Sequence, residues 1–166
     1  MERFETILKR VEDVLHVLGC VALVLIAVLI NADILGRLFF RTPLQFQFEM
    51  VEFYLMPAVA TLSLSRVFRE NGHLCLEFIP PQTFGPFWPY VRIFMLLCSA
   101  AFFGAVSYMS GRFTLQTFQR DEVYFGIIDW PLGWAYLSVP LACSVLTVRL
   151  LFEITRKRSA NSAPAL

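Results

Sequence analysis

Three stretches of this 166-residue chain, each about 19 residues long, contain no Asp, Glu, Lys or Arg: residues 14–32, 93–111 and 130–148. An α-helix rises about 1.5 Å per residue, so each stretch can cross a hydrocarbon layer about 30 Å thick. A fourth apolar segment, residues 53–65, is shorter, but Glu52 and Arg66 stand where lipid headgroups would lie. Extended over residues 44–68, it gives another full span. The sequence therefore predicts four membrane-spanning helices.

Composition indicates an all-α integral membrane protein with one domain. Hydrophobic residues make up 57% of the chain and charged residues 16%, unlike the balance of a soluble domain. Four spans leave too little chain outside the membrane for a second folded unit. We predict one four-helix domain over residues 1–158 and a disordered tail at 159–166. The predicted spans cover about residues 14–38, 46–68, 91–111 and 130–152.

Basic residues predict the orientation. An even number of spans places both termini and the central loop on one side of the membrane. Roughly ten basic residues lie on that side, against four on the other, so the positive-inside rule predicts cytoplasmic termini. The four on the other side are Arg37, Arg41, Arg112 and Arg120. A net charge of +1 gives no basic face large enough to bind nucleic acid.

Several segments carry local signals. Residues 1–13 have an amphipathic pattern typical of a short helix at the membrane surface. Pro57 should kink the second span. The loop between the second and third spans, through residues 73–89, is rich in Pro and aromatic residues and should lie along the membrane surface. Asp33 and Arg37, four residues apart, can form an ion pair on one helix face.

Small residues on the third span favour close helix contact. Ala100, Gly104, Ser107 and Gly111 follow one another at helical spacing. Packing inside the bundle is the more common use of such a face, and docking of another protein is the alternative. The 17 phenylalanines exceed what a small four-helix core can hide, so many must contact lipid or a protein partner.

An acidic pair begins the second span. Glu49 and Glu52 are three residues apart and share one helix face. A proton or cation site is one interpretation, because carboxylates inside a membrane usually serve a function. Solvated headgroup charges are another interpretation. We favour pairing of Glu49 or Glu52 with Arg37, or with a partner subunit, at the outer face.

The sequence contains no set of catalytic residues and no motif for a metal or cofactor. The four cysteines are widely spaced and form no CxxC pair, which argues against thiol chemistry. The two histidines, His16 and His73, both lie on the predicted cytoplasmic side, so bis-histidine haem ligation is geometrically possible. Because nothing holds His73 rigidly, ordinary interfacial histidines are the favoured interpretation. We therefore predict neither enzymatic activity nor a bound cofactor.

Several motifs, in order, resemble the small membrane subunit (DctQ type) of tripartite ATP-independent periplasmic (TRAP) transporters. The first span ends in LGRLFF, Pro-Leu and two glutamates precede the second span, and an Arg-x-x-x-His-x-x-x-acid turn contains Gly72 and His73. The last span begins with DWP and WAYL, and Pro140-Leu141 follows. Glu77 stands where the family more often has Asp, and Cys75 where a basic residue is frequent. The matches extend over roughly residues 30–145.

The resemblance implies a scaffold subunit in the bacterial inner membrane. In this family a periplasmic protein captures an organic acid, and a large membrane subunit carries it inward with a sodium gradient. The small subunit packs beside the large one and helps to receive the binding protein. The resemblance makes Arg37, Glu49, Glu52, Gly72 and His73 candidates for subunit contacts. The small-residue face adds Gly104 and Ser107.

Two other functions fit a small four-span protein. One is a haem or quinone anchor of a respiratory complex, and the other is a small exporter that works as a dimer. The strong orientation bias and the interfacial position of Glu49 and Glu52 argue against the exporter. The sequence also shows no buried cluster of charges that would bind a substrate or sodium. The transported substrate is not encoded in any motif of this chain.

Overall fold

A computed structural model describes residues 2–41, 45–70, 88–126 and 129–161. Span 1 is helix α1 (Glu2–Phe40). Span 2 consists of α2 (Gln45–Met50), a π-helical turn (Val51–Leu55), α3 (Met56–Leu62) and α4 (Leu64–Arg69). Span 3 is α5 (Trp88–Gln119), which is followed by strands β1 (Val123–Phe125) and β2 (Asp129–Pro131). Span 4 consists of α6 (Leu132–Tyr136) and α7 (Ser138–Asn161). The predicted all-α fold is confirmed, because all four spans are long and apolar enough to cross a membrane.

Span 1 is one continuous helix, so the separate surface helix expected at residues 1–13 is not present. No Gly or Pro occurs before Gly19 to interrupt it. Its buried positions Leu8, Glu12, Gly19, Ala22 and Asp33 follow one another at intervals of 4, 7, 3 and 11 residues, each close to whole helical turns, so they share one face of the helix. That face packs on span 2.

Span 2 accommodates Pro57 by widening the turn before it. Proline has no N–H, so the carbonyl of Phe53 cannot receive the usual helical hydrogen bond. In the π-helical turn, the Met56 N–H instead donates to the Val51 carbonyl, five residues back. The irregularity that Pro57 predicts is therefore a π turn between two α-helical segments.

Span 3 continues beyond its predicted end at residue 111 and reaches Gln119. The outer connection is correspondingly short. It is an antiparallel hairpin in which Val123 pairs with Pro131 and Phe125 with Asp129. Trp130, expected to begin span 4, lies in a strand of this hairpin, and the helix starts at Leu132.

The spans form an open row in the order 1, 2, 4, 3. Span 1 packs mainly on span 2, span 2 on span 4, and span 4 on span 3. In the most apolar window of each span, 22% and 28% of the residues of the inner spans 2 and 4 are buried, against 11% and 6% for the outer spans 1 and 3. The outer spans therefore leave broad apolar faces uncovered by this chain.

The start of span 1 and the second half of α7 lie on the same side of the bundle. The rings of Phe4 and Phe152 are 5.8 Å apart. We call this side of the bundle the terminal side, and we call the opposite side, where β1 and β2 lie, the hairpin side. Helix α7 extends to Asn161, and the disordered tail expected at residues 159–166 stays a prediction. The central loop at residues 71–87 and residues 162–166 lie outside the described residues.

Candidate functional site

Two groups of polar contacts connect the spans, one on the hairpin side of the bundle and one on the terminal side. On the hairpin side, the Trp130 indole N–H donates to Glu49 Oε2 at 3.0 Å. Gly126 lies directly against the same carboxylate, and a Cβ atom at this position would overlap it. Glu49 therefore packs beneath the hairpin of its own chain.

Aromatic residues complete this contact. The Tyr54 hydroxyl donates to the Pro131 carbonyl at 2.7 Å. The ring centroids of Phe53 and Tyr124 are 4.7 Å apart, and those of Tyr54 and Trp130 are 5.6 Å apart. We call Glu49, Tyr54, Gly126 and Trp130 the hairpin anchor, because they fix the hairpin on span 2.

Arg37 lies on the hairpin side but belongs to another contact. Its Nη2 is 2.7 Å from Asp33 Oδ2, which confirms the predicted ion pair within span 1. The favoured pairing of Arg37 with Glu49 or Glu52 is thus replaced by one with Asp33. Glu52 is exposed, so its contact with a partner subunit stays a prediction.

The terminal side contains a buried cluster of charges from three spans. Glu12 of span 1 has no exposed surface. Its Oε1 accepts a hydrogen bond from the Ser65 hydroxyl at 2.8 Å, and its Oε2 accepts one from Arg69 Nη1 at 3.0 Å. Arg149 Nε of span 4 is 3.7 Å from Glu12 Oε1. One carboxylate therefore connects spans 1, 2 and 4.

More exposed charges surround this centre. Asp13 Oδ1 accepts a hydrogen bond from Arg69 Nη2 at 2.6 Å and lies 3.8 Å from Arg66 Nη1. Arg66 Nε donates to Glu70 Oε1 at 2.9 Å, and this bond holds the pKa of the Glu70 carboxyl below its usual value. We call Glu12, Asp13, Arg66, Arg69 and Arg149 the terminal ion cluster.

This buried cluster was not predicted from the sequence. Glu12, Arg69 and Arg149 are far apart in the sequence, and each adjoins the predicted end of a span. Charges at span ends ordinarily indicate headgroup contact. Only the packing of three helices shows that these side chains point at one another.

Arg149 is incompletely paired in this cluster. It is 4% exposed, and within the part of the chain that the structure describes, Nε and Nη1 have no hydrogen-bond partner. Its contact with Glu12 is an ion pair at 3.7 Å without a hydrogen bond. Because an unpaired buried charge is costly, Arg149 depends strongly on the Glu12 carboxylate.

His16 makes its contacts within the chain. Its Nδ1 is 3.1 Å from the Ser63 hydroxyl, and its Nε2 is 3.6 Å from Cys20 Sγ. Both ring nitrogens are thus occupied, which argues against His16 as an iron ligand. His73, the other candidate ligand, and Gly72 lie outside the described residues. The described residues contain no group of three or more His, Cys, Asp or Glu that could hold a metal ion.

The small-residue face of span 3 is used inside the chain. A Cβ atom on Gly104 would lie 3.6 Å from Thr147 Cγ2, and the Ser107 hydroxyl donates to the Pro140 carbonyl at 3.3 Å. Both contacts are with span 4. Packing within the bundle, the more common use of such a face, is what the structure shows, and a contact of Gly104 or Ser107 with another subunit stays a prediction.

Comparisons with known proteins give a family but no individual relative. Residues 26–159 match the family described as tripartite ATP-independent periplasmic transporters, DctQ component. Neither curated proteins nor solved structures gave a match. The match covers the last 15 residues of span 1, all of spans 2 and 3, and span 4 except its last two residues. This chain therefore belongs to the DctQ family, the small membrane components of TRAP transporters, which is a family of transporter components rather than enzymes.

Proposed function

We propose that this chain is a scaffold that packs against the large membrane subunit of a TRAP transporter. The observation that carries the proposal is the open row of spans. A protein that worked alone would be expected to enclose its functional residues between helices. Here the outer spans present apolar faces along their length, and the family supplies a large membrane partner for them.

Site-specific cross-linking tests this arrangement. A photoreactive residue replaces Val21 of span 1 or Ala105 of span 3, both of which are exposed. The matched control replaces Ala142, which is buried in span 4. In native membranes, we expect at least one outer position to cross-link a large polytopic membrane protein and Ala142 to give no such product. Absence of this product from both outer positions would refute packing by these faces.

The hairpin fits a second part of the proposed role. It lies opposite the termini, and if the termini are cytoplasmic, as the basic residues predict, it faces the periplasm. Phe125 is 83% exposed, and Tyr124 beside it is also exposed. Exposed aromatic side chains are typical anchors of protein interfaces. We therefore place the contact with the periplasmic binding protein at this hairpin.

Substrate and sodium would be handled elsewhere in the complex. In the family scheme, the binding protein captures an organic acid and the large subunit couples its uptake to sodium. The buried charges of the terminal ion cluster are paired with one another, which gives them a structural role. Liposomes that contain this chain alone should consequently take up no organic acid, and sodium-dependent uptake by them would contradict the scaffold role.

The same proposal gives the location as the bacterial inner membrane with cytoplasmic termini. Cysteine labelling from one side of the membrane tests it. A cysteine in place of Phe125 should react with an impermeant maleimide added to whole cells with a permeabilised outer membrane. A cysteine in place of Phe4 should react only after the inner membrane is opened. The reverse pattern would overturn the orientation.

A further inference from the structure

An apolar groove lies between spans 1 and 4 on the terminal side. Its cavity has a volume of about 200 Å³. Ile7, Leu8 and Val11 of α1 form one wall, and Val145 and Val148 of α7 form the other. The described polar groups contribute almost nothing to its surface, so an aliphatic chain is the kind of ligand that it fits.

A basic hollow adjoins this groove on the same helix. It is lined by Arg3, Thr6, Ile7 and Arg10, and it shares Ile7 with the groove. Within the described part of the chain, neither arginine has an ion-pair partner, whereas the neighbouring Lys9 is 2.8 Å from Glu5. Two uncompensated guanidinium groups at one helix face are suited to a phosphate group.

We propose that this pair of features binds one anionic phospholipid. One acyl chain occupies the groove between α1 and α7, and the headgroup phosphate contacts Arg3 and Arg10. Basic side chains of a helix at the membrane surface attract anionic lipid headgroups, each contributing about 1 kcal/mol. The site lies within the small subunit itself, so the proposal does not depend on the scaffold role or on a partner subunit.

A bound lipid also explains why two apolar side chains near the start of α1 are exposed. Ile7 and Val11 precede the uncharged run that begins at residue 14, yet both are exposed. Near the headgroup region, water would contact these side chains at a cost that grows with apolar area. A bound acyl chain covers them and fills the groove between α1 and α7.

Native mass spectrometry of the full chain tests the proposal. The protein is exchanged into phosphatidylcholine nanodiscs that contain a minor fraction of phosphatidylglycerol, and retained lipids are counted after release. We expect one phosphatidylglycerol per chain, with a preference over phosphatidylcholine of roughly 30-fold, the combined effect of two basic side chains at a membrane surface. Equal retention of the two lipids would overturn the proposal.

Matched variants separate a built site from general attraction. The double variant Arg3→Gln/Arg10→Gln should lose the preference, while Lys9→Gln, which removes one charge from the same helix outside the hollow, should keep it. Val148→Trp should fill the groove and release the lipid, whereas Leu151→Trp, at an exposed position of α7 outside the groove, should not. If Lys9→Gln weakens the preference as much as the double variant does, or if Val148→Trp retains the lipid, the site is not the one proposed.

Discussion

Glu12 is a carboxylate with no exposed surface whose contacts come from two other spans. A buried ion pair costs desolvation energy, so its presence is weak evidence for stability. The ion pair instead fixes how the helices align along the membrane normal, because Glu12 can contact Arg69 and Arg149 only when spans 1, 2 and 4 have one relative position along that direction. We infer that the terminal ion cluster sets the vertical alignment of spans 1, 2 and 4.

Replacing Glu12 tests this alignment. Glu12→Ala leaves Arg149 and Arg69 without their buried partner and should lower the free energy of unfolding by about 3–5 kcal/mol. Glu70→Ala, which removes an exposed carboxylate from the same end, should leave the free energy of unfolding nearly unchanged, because exposed ion pairs contribute little. Reversible denaturation in detergent micelles measures both. A similar loss for the two variants would mean that burial of Glu12 has no energetic consequence.

The absence of a side chain at Gly126 makes room for the Glu49 carboxylate in the hairpin anchor. A methyl group there would displace the Glu49 carboxylate, which is the end of a flexible side chain, so Gly126→Ala should cost no more than about 1 kcal/mol but should weaken the Glu49–Trp130 hydrogen bond. Gly111→Ala is the control, because its Cβ would make an ordinary contact with Pro140 Cβ at 3.8 Å. The Trp130 emission spectrum, read in a variant that lacks the other two tryptophans, should shift for Gly126→Ala alone. An unchanged spectrum would place Glu49 away from the hairpin.

At the scale of single elements, spans 3 and 4 are held together by small side chains and by hydrogen bonds from span 3 hydroxyls to backbone carbonyls near Pro140. Pro140 cannot donate to the Tyr136 carbonyl, which instead accepts a hydrogen bond from the Thr114 hydroxyl at 3.4 Å. The Pro140 carbonyl accepts one from Ser107. Hydroxyl groups of span 3 thus donate hydrogen bonds to backbone carbonyls at the irregular start of span 4. Neighbouring helices in membranes commonly supply hydrogen bonds to backbone groups that an interrupted helix leaves unpaired.

A bulky residue on the small face should separate these two spans. Gly104→Leu introduces a side chain against Thr147 and should destabilise the protein by about 1–3 kcal/mol. Ala105→Leu adds a similar volume on the exposed side of the same helix and should be nearly neutral. Thermal unfolding in one detergent compares the two variants. Equal melting temperatures would show that the small-residue face does not hold spans 3 and 4 together.

Hydropathy predicts the existence of each element better than its ends. Runs without charge identify the hydrocarbon layer, and all four spans follow from them. Helices can continue through water, however, and Arg112 sits within α5 with its guanidinium 5.9 Å from the centre of the Tyr108 ring. Nothing in the local pattern distinguishes such an arginine from one that ends a helix. The continuous start of α1 was missed for the same reason.

At the scale of the whole molecule, the order of the spans was beyond prediction. Lipid and the side of another helix are equally apolar, so hydropathy gives no signal for which spans touch. The motifs of residues 35–40 and 129–141 led to the family without any knowledge of packing. The terminal ion cluster needed the packing, since its members belong to three spans and Glu12 precedes the family match at residue 26.

The central proposal for the molecule is that a partner subunit covers the outer faces of the row of four spans. Affinity purification from the native host, with a tag at the C-terminus and a mild detergent, tests it most directly. We expect a large membrane protein with about a dozen spans to remain bound in equal amount. Recovery of this chain alone, or with redox subunits in place of a large transporter subunit, would contradict the scaffold role.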